Sequence, residues 1–354
     1  MSVAYAGAHQ HAAACTCGID VHAHVIPHDL PRYLGNIIPA SWPSMAPAHA
    51  CHRHVMVAGT VYRTVSDKAW SPTRRIDDME TMGLAQQAIS PMPELLAYWM
   101  DAAPACQLLR YLNEQIAEMA ALSGNRLVGM GAVPLQDIDL ALAELDYVAD
   151  KLGFKAIEVG SNINGKAPGA PEFAPFFAAC ADKGVAVFVH ALKPAGTERL
   201  VGPDKLLPAL AYPTDVGLAA ASVLTSNLIG RYPHLKMAFS HGGGTLASLL
   251  PRLEQARQVF PALREAMPVS PSEQARQLYY DTLVFDAPTL NHLLACFGAD
   301  QLMIGTDYPF AFHDASPVAR IAAAVAAPDV RARLVTHNAA RFLGIDAGAP
   351  TINP

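Results

Sequence analysis

No stretch of this 354-residue chain approaches the roughly 18 to 20 uninterrupted apolar residues of a membrane-spanning helix, so no bilayer partner is expected. Basic residues are outnumbered, 25 Lys and Arg against 31 Asp and Glu for a formal charge of -6, and they build no track long enough for nucleic acid. Cysteine is sparse. Cys15, Cys17, Cys51, Cys106, Cys180 and Cys296 are scattered with no C-x-x-C pair, which suits free thiols in a reducing compartment better than a disulfide framework. Cys15 and Cys17 stand close to His22, but "AAACTC" reads as part of a flexible leader over residues 1–17 rather than as a zinc site. That leader lacks the charged start and continuous apolar segment of a secretion signal, and a cytoplasmic protein is expected. Also missing is a Gly-rich phosphate turn after the first apolar run, "GIDVHAHVIP", which argues against a doubly wound nucleotide-binding sheet.

What is present is core material. Hydrophobic residues make up 52% and charged residues 16%, enough for one large compact domain. Eight short apolar runs read as strands: 18–25, 84–90, 126–134, 154–160, 184–192, 235–244, 277–284 and 301–310. Between them 104–122, 137–151 and 214–230 carry apolar residues at helical spacing, and several such stretches open with Pro, Asp or Thr as helix starts do. Alternating strands and helices imply a parallel sheet, and eight units imply a closed (β/α)8 TIM barrel over residues 18–345, with a tail at 346–354. Residues 27–75 exceed the unit length and are rich in Pro and His, so they read as an insertion after strand one, folded over the barrel mouth as a lid or small subdomain.

The chemistry sits at strand ends. Side chains alternate faces along a strand, so His22 and His24 project the same way. His190 closes strand five, His241 closes strand six and Asp307 closes strand eight. In a (β/α)8 barrel those ends converge on one mouth. Five independently buried polar groups would each need a partner of its own, and one shared cation is the simpler account.

H-x-H on strand one, His on strands five and six and Asp on strand eight resemble the amidohydrolase superfamily. More narrowly, "DVHAHVIP", "VPLQDIDLA", "HGGGTLASLLPRLE" and "GTDYPF" are similar to α-amino-β-carboxymuconate-ε-semialdehyde decarboxylase and its relatives, including hydroxybenzoate decarboxylases. The resemblance implies that His22, His24, His190 and Asp307 bind one divalent metal, expected to be Zn2+, with Mn2+ or iron tolerated. It implies that His241 acts beside a metal-bound water as general base and acid, with Asp307 also at the reacting centre. It implies that Arg63 reaches the site to bind a substrate carboxylate. Arg252 follows His241 on the departing helix, roughly 10 to 15 Å along the outside of its own barrel. The matching family arginine enters the neighbouring subunit's site, which implies a homodimer.

A two-metal relative would use a strand-four Lys or Glu, here Lys155 or Glu158; the resemblance is to a mononuclear branch and leaves Glu158 a pocket or supporting residue. Where that branch has proline and an aromatic after the strand-five histidine, this chain reads "HALKPAG", so the pocket wall differs and Lys193 faces either a second substrate acid or solvent. Phe310, Tyr308 and the insertion are expected to shape the pocket. The implied activity is non-oxidative decarboxylation of an aromatic or muconate-semialdehyde-type acid without an organic cofactor. The alternative is a metal-dependent hydrolase or hydratase of a related ring-cleavage product. A barrel that only binds its ligand is disfavoured because all five polar positions are present.

Overall fold

The computed structural model describes residues 17–203 and 205–346; the leader to residue 16 and the tail beyond 346 lie outside the described residues. All eight apolar runs form barrel strands: Gly18–Asp20 with His24–Val25, Leu84–Pro91, Leu127–Gly129 with Gly131–Ala132, Ala156–Gly160, Ala186–His190, Met237–Phe239, Tyr279–Asp281 and Leu302–Met303. Each strand pairs in parallel with the next. The ring closes where Asp20 bridges Ile304 and Ala23 bridges Tyr308. The chain is therefore a (β/α)8 barrel. Helices Ala102–Leu122, Ile138–Asp146 and Tyr212–Thr225 occupy the stretches with helical spacing. The second of these starts at Asp137, whose carboxylate accepts from the Leu140 N–H at 3.0 Å.

Strand alternation sorts the side chains into two apolar populations. Ala88, Met130, Ala156, Ala186, Phe188, Ala238 and Met303 fill the barrel interior together with Phe342 and Leu343 of the helix Asn338–Leu343. Ile89, Ile157, Val159, Val187, Val189, Met237 and Phe239 belong to the larger core between strands and helices. The same alternation continues past the apolar interior layer, where the inward positions turn polar: Ser90, Glu158, His190 and Asp281 are all buried. The functional layer is thus the last inward layer of the barrel.

Between the first strand and the helix Pro72–Met82 stands a three-stranded antiparallel sheet, Ser44–Pro47, His52–Val57 and Thr60–Ser66. Residues 61–66 of its last strand line the cavity at the barrel mouth. Among the described residues one helical stretch, Leu207–Thr225, is long and apolar enough to cross a membrane. Here it is part of the barrel wall: its buried Asp215 accepts hydrogen bonds from Ser161 and from Asn162, the latter at 3.1 Å.

The first strand is held by a buried polar chain. Arg75 is fully buried and donates to Gln87 Oε1 at 2.7 Å, to the His24 carbonyl at 2.6 Å and to the Lys68 carbonyl at 3.1 Å. Gln87 in turn donates to Asp20 Oδ2 at 2.8 Å, which also accepts from Thr306 Oγ at 2.6 Å. Burial lifts the Asp20 carboxyl to about 6, against these donors. Replacing Arg75 with Met removes the donors of two buried acceptors and one half-buried one. The expected cost in urea unfolding is about 2–5 kcal/mol, whereas a loss under about 0.5 kcal/mol would show that water takes over these acceptors.

Candidate metal centre

Each histidine of the H-x-H pair is clamped on one nitrogen and free on the other. His22 Nδ1 lies 2.7 Å from Asp281 Oδ2, and His24 Nδ1 lies 3.1 Å from the Pro91 carbonyl. His190 Nδ1 lies 2.8 Å from the Ala191 carbonyl. With Nδ1–H donating in each case, every Nε2 presents a lone pair. Among the described residues those three buried Nε2 atoms and Asp307 Oδ1 find no hydrogen-bond partner. They point at one another: Asp307 Oδ1 is 3.4 Å from His22 Nε2, 3.2 Å from His24 Nε2 and 3.9 Å from His190 Nε2. One ligand atom from each of the four residues falls within 4.8 Å of the others. Four convergent, desolvated acceptors fit a divalent cation and little else.

The electrostatics agree. Burial opposes the charge on Asp307, but the surrounding imidazoles of His190, His22 and His24 hold its carboxyl well below the usual range. Burial likewise works against protonation of His22, and the carboxylates of Asp281 and Asp307 overcome it, raising that imidazole to about 10. A cation would displace this proton and take over its role.

Local backbone strain aims two of these groups. Asp307 sits at φ 64° and His241 at φ 54°, left-handed values that a side-chain-bearing residue adopts only when its surroundings enforce them. The Asp307 N–H donates to the His22 carbonyl at 2.8 Å, tying strand eight to the H-x-H strand. His241 opens a left-handed turn through Gly242, Gly243 and Gly244. At Gly244 a Cβ would fall 1.8 Å from the Pro213 carbonyl oxygen, so no other residue fits. His241 itself stays outside the four-ligand group, with its ring 5.4 Å from that of His22 and 5.3 Å from that of His190. Burial, followed by the charges of His190 and His22, depresses its pKa to about 3, so it is a neutral imidazole at pH 7.

The cluster opens into a cavity of about 870 Å3 lined by His190 and Asp307 below and by Arg63, Glu94, Tyr212 and Phe310 around it. Phe310 is sandwiched. Its ring stacks on His24 at 5.3 Å, and the Arg63 guanidinium carbon lies 4.1 Å above it. Arg252 is exposed on the helix Leu246–Val259 and does not line the cavity. Lys193 is exposed too, but its Nζ rests 3.3 Å over the Trp99 ring beside an adjoining chamber.

One expectation is corrected. Tyr308 does not shape the pocket: it is buried behind the strand, where its hydroxyl donates to Asp78 at 2.7 Å and Arg75 lies over its ring. Lys155 points out of the barrel and is exposed, since alternation turns it opposite to the inward Glu158. Glu158 stands outside the four-ligand group, in the supporting place expected of it: its Oε2 accepts from Ser90 and lies 3.5 Å from His24 Nδ1. Sequence reasoning also missed Asp281. Its Oδ2 clamps His22 while its Oδ1 accepts from the Gly242 N–H at 2.8 Å, so one carboxylate sets both a ligand and the His241 turn. The available signal was its place: an acid closing strand seven, two residues beyond the inward Tyr279.

The family model described as amidohydrolase matches residues 19–345. The chain belongs to the amidohydrolase family. Among relatives, it is 30% identical over 331 residues to the 2-amino-3-carboxymuconate-6-semialdehyde decarboxylase of Dictyostelium discoideum, covering 93% of this chain and 92% of that one. The solved 5-carboxyvanillate decarboxylase of Sphingomonas paucimobilis superposes with a TM-score of 0.70 at 25% identity, over 77% of this chain and 83% of that one. A dihydroxybenzoic acid decarboxylase of Polaromonas sp. JS666, solved with manganese and the inhibitor 2-nitroresorcinol, shares the fold with a TM-score of 0.68 at 22% identity, over 77% and 85%. Asp281 is the residue that orients His22, one of the four convergent side chains that could hold a metal ion. Asp281→Asn should keep the fold but weaken metal affinity by about 10- to 100-fold, measured by competition with a metallochromic chelator; unchanged affinity would remove Asp281 from this role.

Proposed function

We propose that the protein is a metal-dependent, non-oxidative decarboxylase of an aromatic or muconate-semialdehyde-type carboxylic acid. The observation that carries this reading is the sandwich of Phe310 between Arg63 and His24. A guanidinium suited to a carboxylate stands one ring away from a four-ligand centre, in a cavity large enough for an aromatic acid. The decarboxylases to which the chain is similar support it.

His22, His24, His190 and Asp307 would hold the ion, which when bound supplies Lewis-acid polarisation of substrate oxygen. Three imidazoles and one carboxylate favour zinc, and the manganese of the Polaromonas protein makes Mn2+ the alternative. Arg63 binds and orients the carboxylate, and Phe310 offers the ring an apolar face. His241 Nδ1 lies 3.0 Å from Ser240 Oγ, which leaves Nε2 to hold and move the reacting proton. Protonation of the carbon that bears the carboxylate is followed by cleavage of the carbon–carbon bond. Its electron pair returns to the substrate's π system and carbon dioxide leaves. Nothing is oxidised or reduced, so the balance needs no organic cofactor.

We further propose a homodimer in which Arg252 enters the neighbouring site. Its helix exposes Leu249 one turn before Arg252, and Val259 and Phe260 are exposed at its far end, separate apolar points open to a second copy.

Purified, metal-replete protein should release carbon dioxide from hydroxybenzoates, hydroxyphthalates or carboxymuconate semialdehydes with no nicotinamide, flavin or thiamine added; an amine or ring-opened acid as product would mark a hydrolase instead. His241→Ala should retain nearly full metal content by atomic absorption yet lose turnover, whereas loss of the ion would make His241 a ligand. Mixing inactive Arg252→Ala with inactive His241→Ala protein should restore activity, because a mixed dimer rebuilds one whole site; no recovery after subunit exchange counts against the shared site.

A further inference from the structure

The inserted sheet reaches the barrel mouth through a strand with little to hold it there. Of Thr60–Ser66 only Val65 is buried, while Thr60, Val61, Tyr62 and Thr64 are exposed. Its side chains otherwise hydrogen-bond within the sheet, Thr60 Oγ1 to the Val57 carbonyl and Thr64 Oγ1 with His54 Nδ1. Among the described residues one hydrogen bond crosses from this strand to the barrel: the Tyr62 hydroxyl donates to Glu94 Oε1 at 2.5 Å. Yet this strand carries Arg63, the group read above as the partner of the substrate carboxylate.

Glu94 stands in the short turn Pro93–Leu96 after the second barrel strand. Its Oε1 also accepts from the Tyr212 hydroxyl at 3.4 Å, and Arg63 Nη2 lies 3.8 Å away, a charge contact too long for a hydrogen bond. Tyr212 opens the helix Tyr212–Thr225, with its ring 6.4 Å from that of His190 and 6.5 Å from that of His241. Burial pushes both phenols up, so they stay protonated and donate. Glu94 Oε2 is buried even though the cavity is empty, so no ligand touches it. The carboxylate thus faces the protein: its accessible chemistry is spent on two phenols from two other segments. Arg63 makes no hydrogen bond to it, and the guanidinium over Phe310 keeps its N–H groups for a carboxylate from the cavity.

We propose that Glu94 is a positioning residue: by accepting from Tyr62 and Tyr212 it tethers the inserted strand to the barrel mouth and so holds Arg63 where it takes the substrate carboxylate. The assignment rests on the reading of Arg63 as the carboxylate's partner. It gives the insertion a task in the site beyond that of a cover.

Calorimetric titration of metal-replete protein with salicylate, which carries a carboxylate, and with acetohydroxamate, a metal-binding ligand that lacks one, tests it. Glu94→Ala and Tyr62→Phe should each weaken salicylate about tenfold, since an ångström of misplacement is costly to a bidentate contact, and leave acetohydroxamate within about twofold. Glu94→Gln should stay within about threefold of the parent, because its amide oxygen still accepts from the phenols. Unchanged salicylate affinity in Tyr62→Phe overturns the proposal, and that variant decides alone if Glu94→Ala does not fold. Equal losses for both ligands also overturn it, marking general damage to the centre. So does a Glu94→Gln loss as large as that of Glu94→Ala, which would assign the effect to charge, or tighter salicylate binding in Glu94→Ala, which would make Glu94 a competitor for Arg63. All of these leave the decarboxylase reading standing; failure of salicylate and every other aromatic acid to bind the metal-replete parent sinks that reading and this one together.

Discussion

Three imidazole lone pairs and a carboxylate oxygen, all removed from water and aimed at one point, are the constraint around which the barrel mouth is organised. In a folded chain such atoms either find donors or find a cation. The geometry closes the first route. The Nδ1 atoms of His22, His24 and His190 are already committed to Asp281, Pro91 and Ala191, so their hydrogens point away from the centre and only acceptors face it. Asp281, committed in turn to the Gly242 N–H, carries that orientation across to the turn that presents His241.

The fold's contribution is to put this arrangement one layer above a filled apolar interior. Small inward residues, Ala88, Ala156, Ala186 and Ala238, leave room for Phe188 and Met303 to fill the barrel, and the His22 ring rests 5.1 Å from that of Phe188. The floor is therefore dry, which strengthens every charge interaction above it. The H-x-H strand cannot keep a regular hydrogen-bonding path, being broken between Asp20 and His24. Side chains replace the missing ladder: Asp20 takes the His22 and Thr306 N–H groups at 3.0 and 3.1 Å, and Arg75 takes the His24 carbonyl.

Much of this was legible in the sequence, and the reasons differ by residue. The eight strands were readable because buried parallel strands are short apolar runs between amphipathic helices. His22, His24, His190, His241 and Asp307 stood out because each is a polar residue in or closing such a run. Tyr308 was misread because run membership does not say which face a residue takes, and a break or turn resets the count. Asp281 was readable by the same rule as Asp307 but lacked a motif around it. Glu94, Tyr62 and Tyr212 were not readable at all, since they come from three separate segments, a turn, an inserted strand and a helix start, whose meeting depends on how the insertion sits.

Charge balance explains why the centre asks for a divalent ion in particular. Glu158 and Asp281 are fully buried, Asp307 nearly so, and all three carboxyls are held below their ordinary range, which places three negative charges around three imidazoles. Proton uptake on His22 and His24, both raised, is the compensation open to the protein alone. A divalent ion replaces those two protons charge for charge and satisfies the Nε2 atoms that the protons would occupy. A monovalent ion would replace only one of those two protons and leave the larger negative excess in place. In the proposed reaction the Arg63 guanidinium would receive the substrate's negative charge, beside a His241 that burial keeps neutral at pH 7.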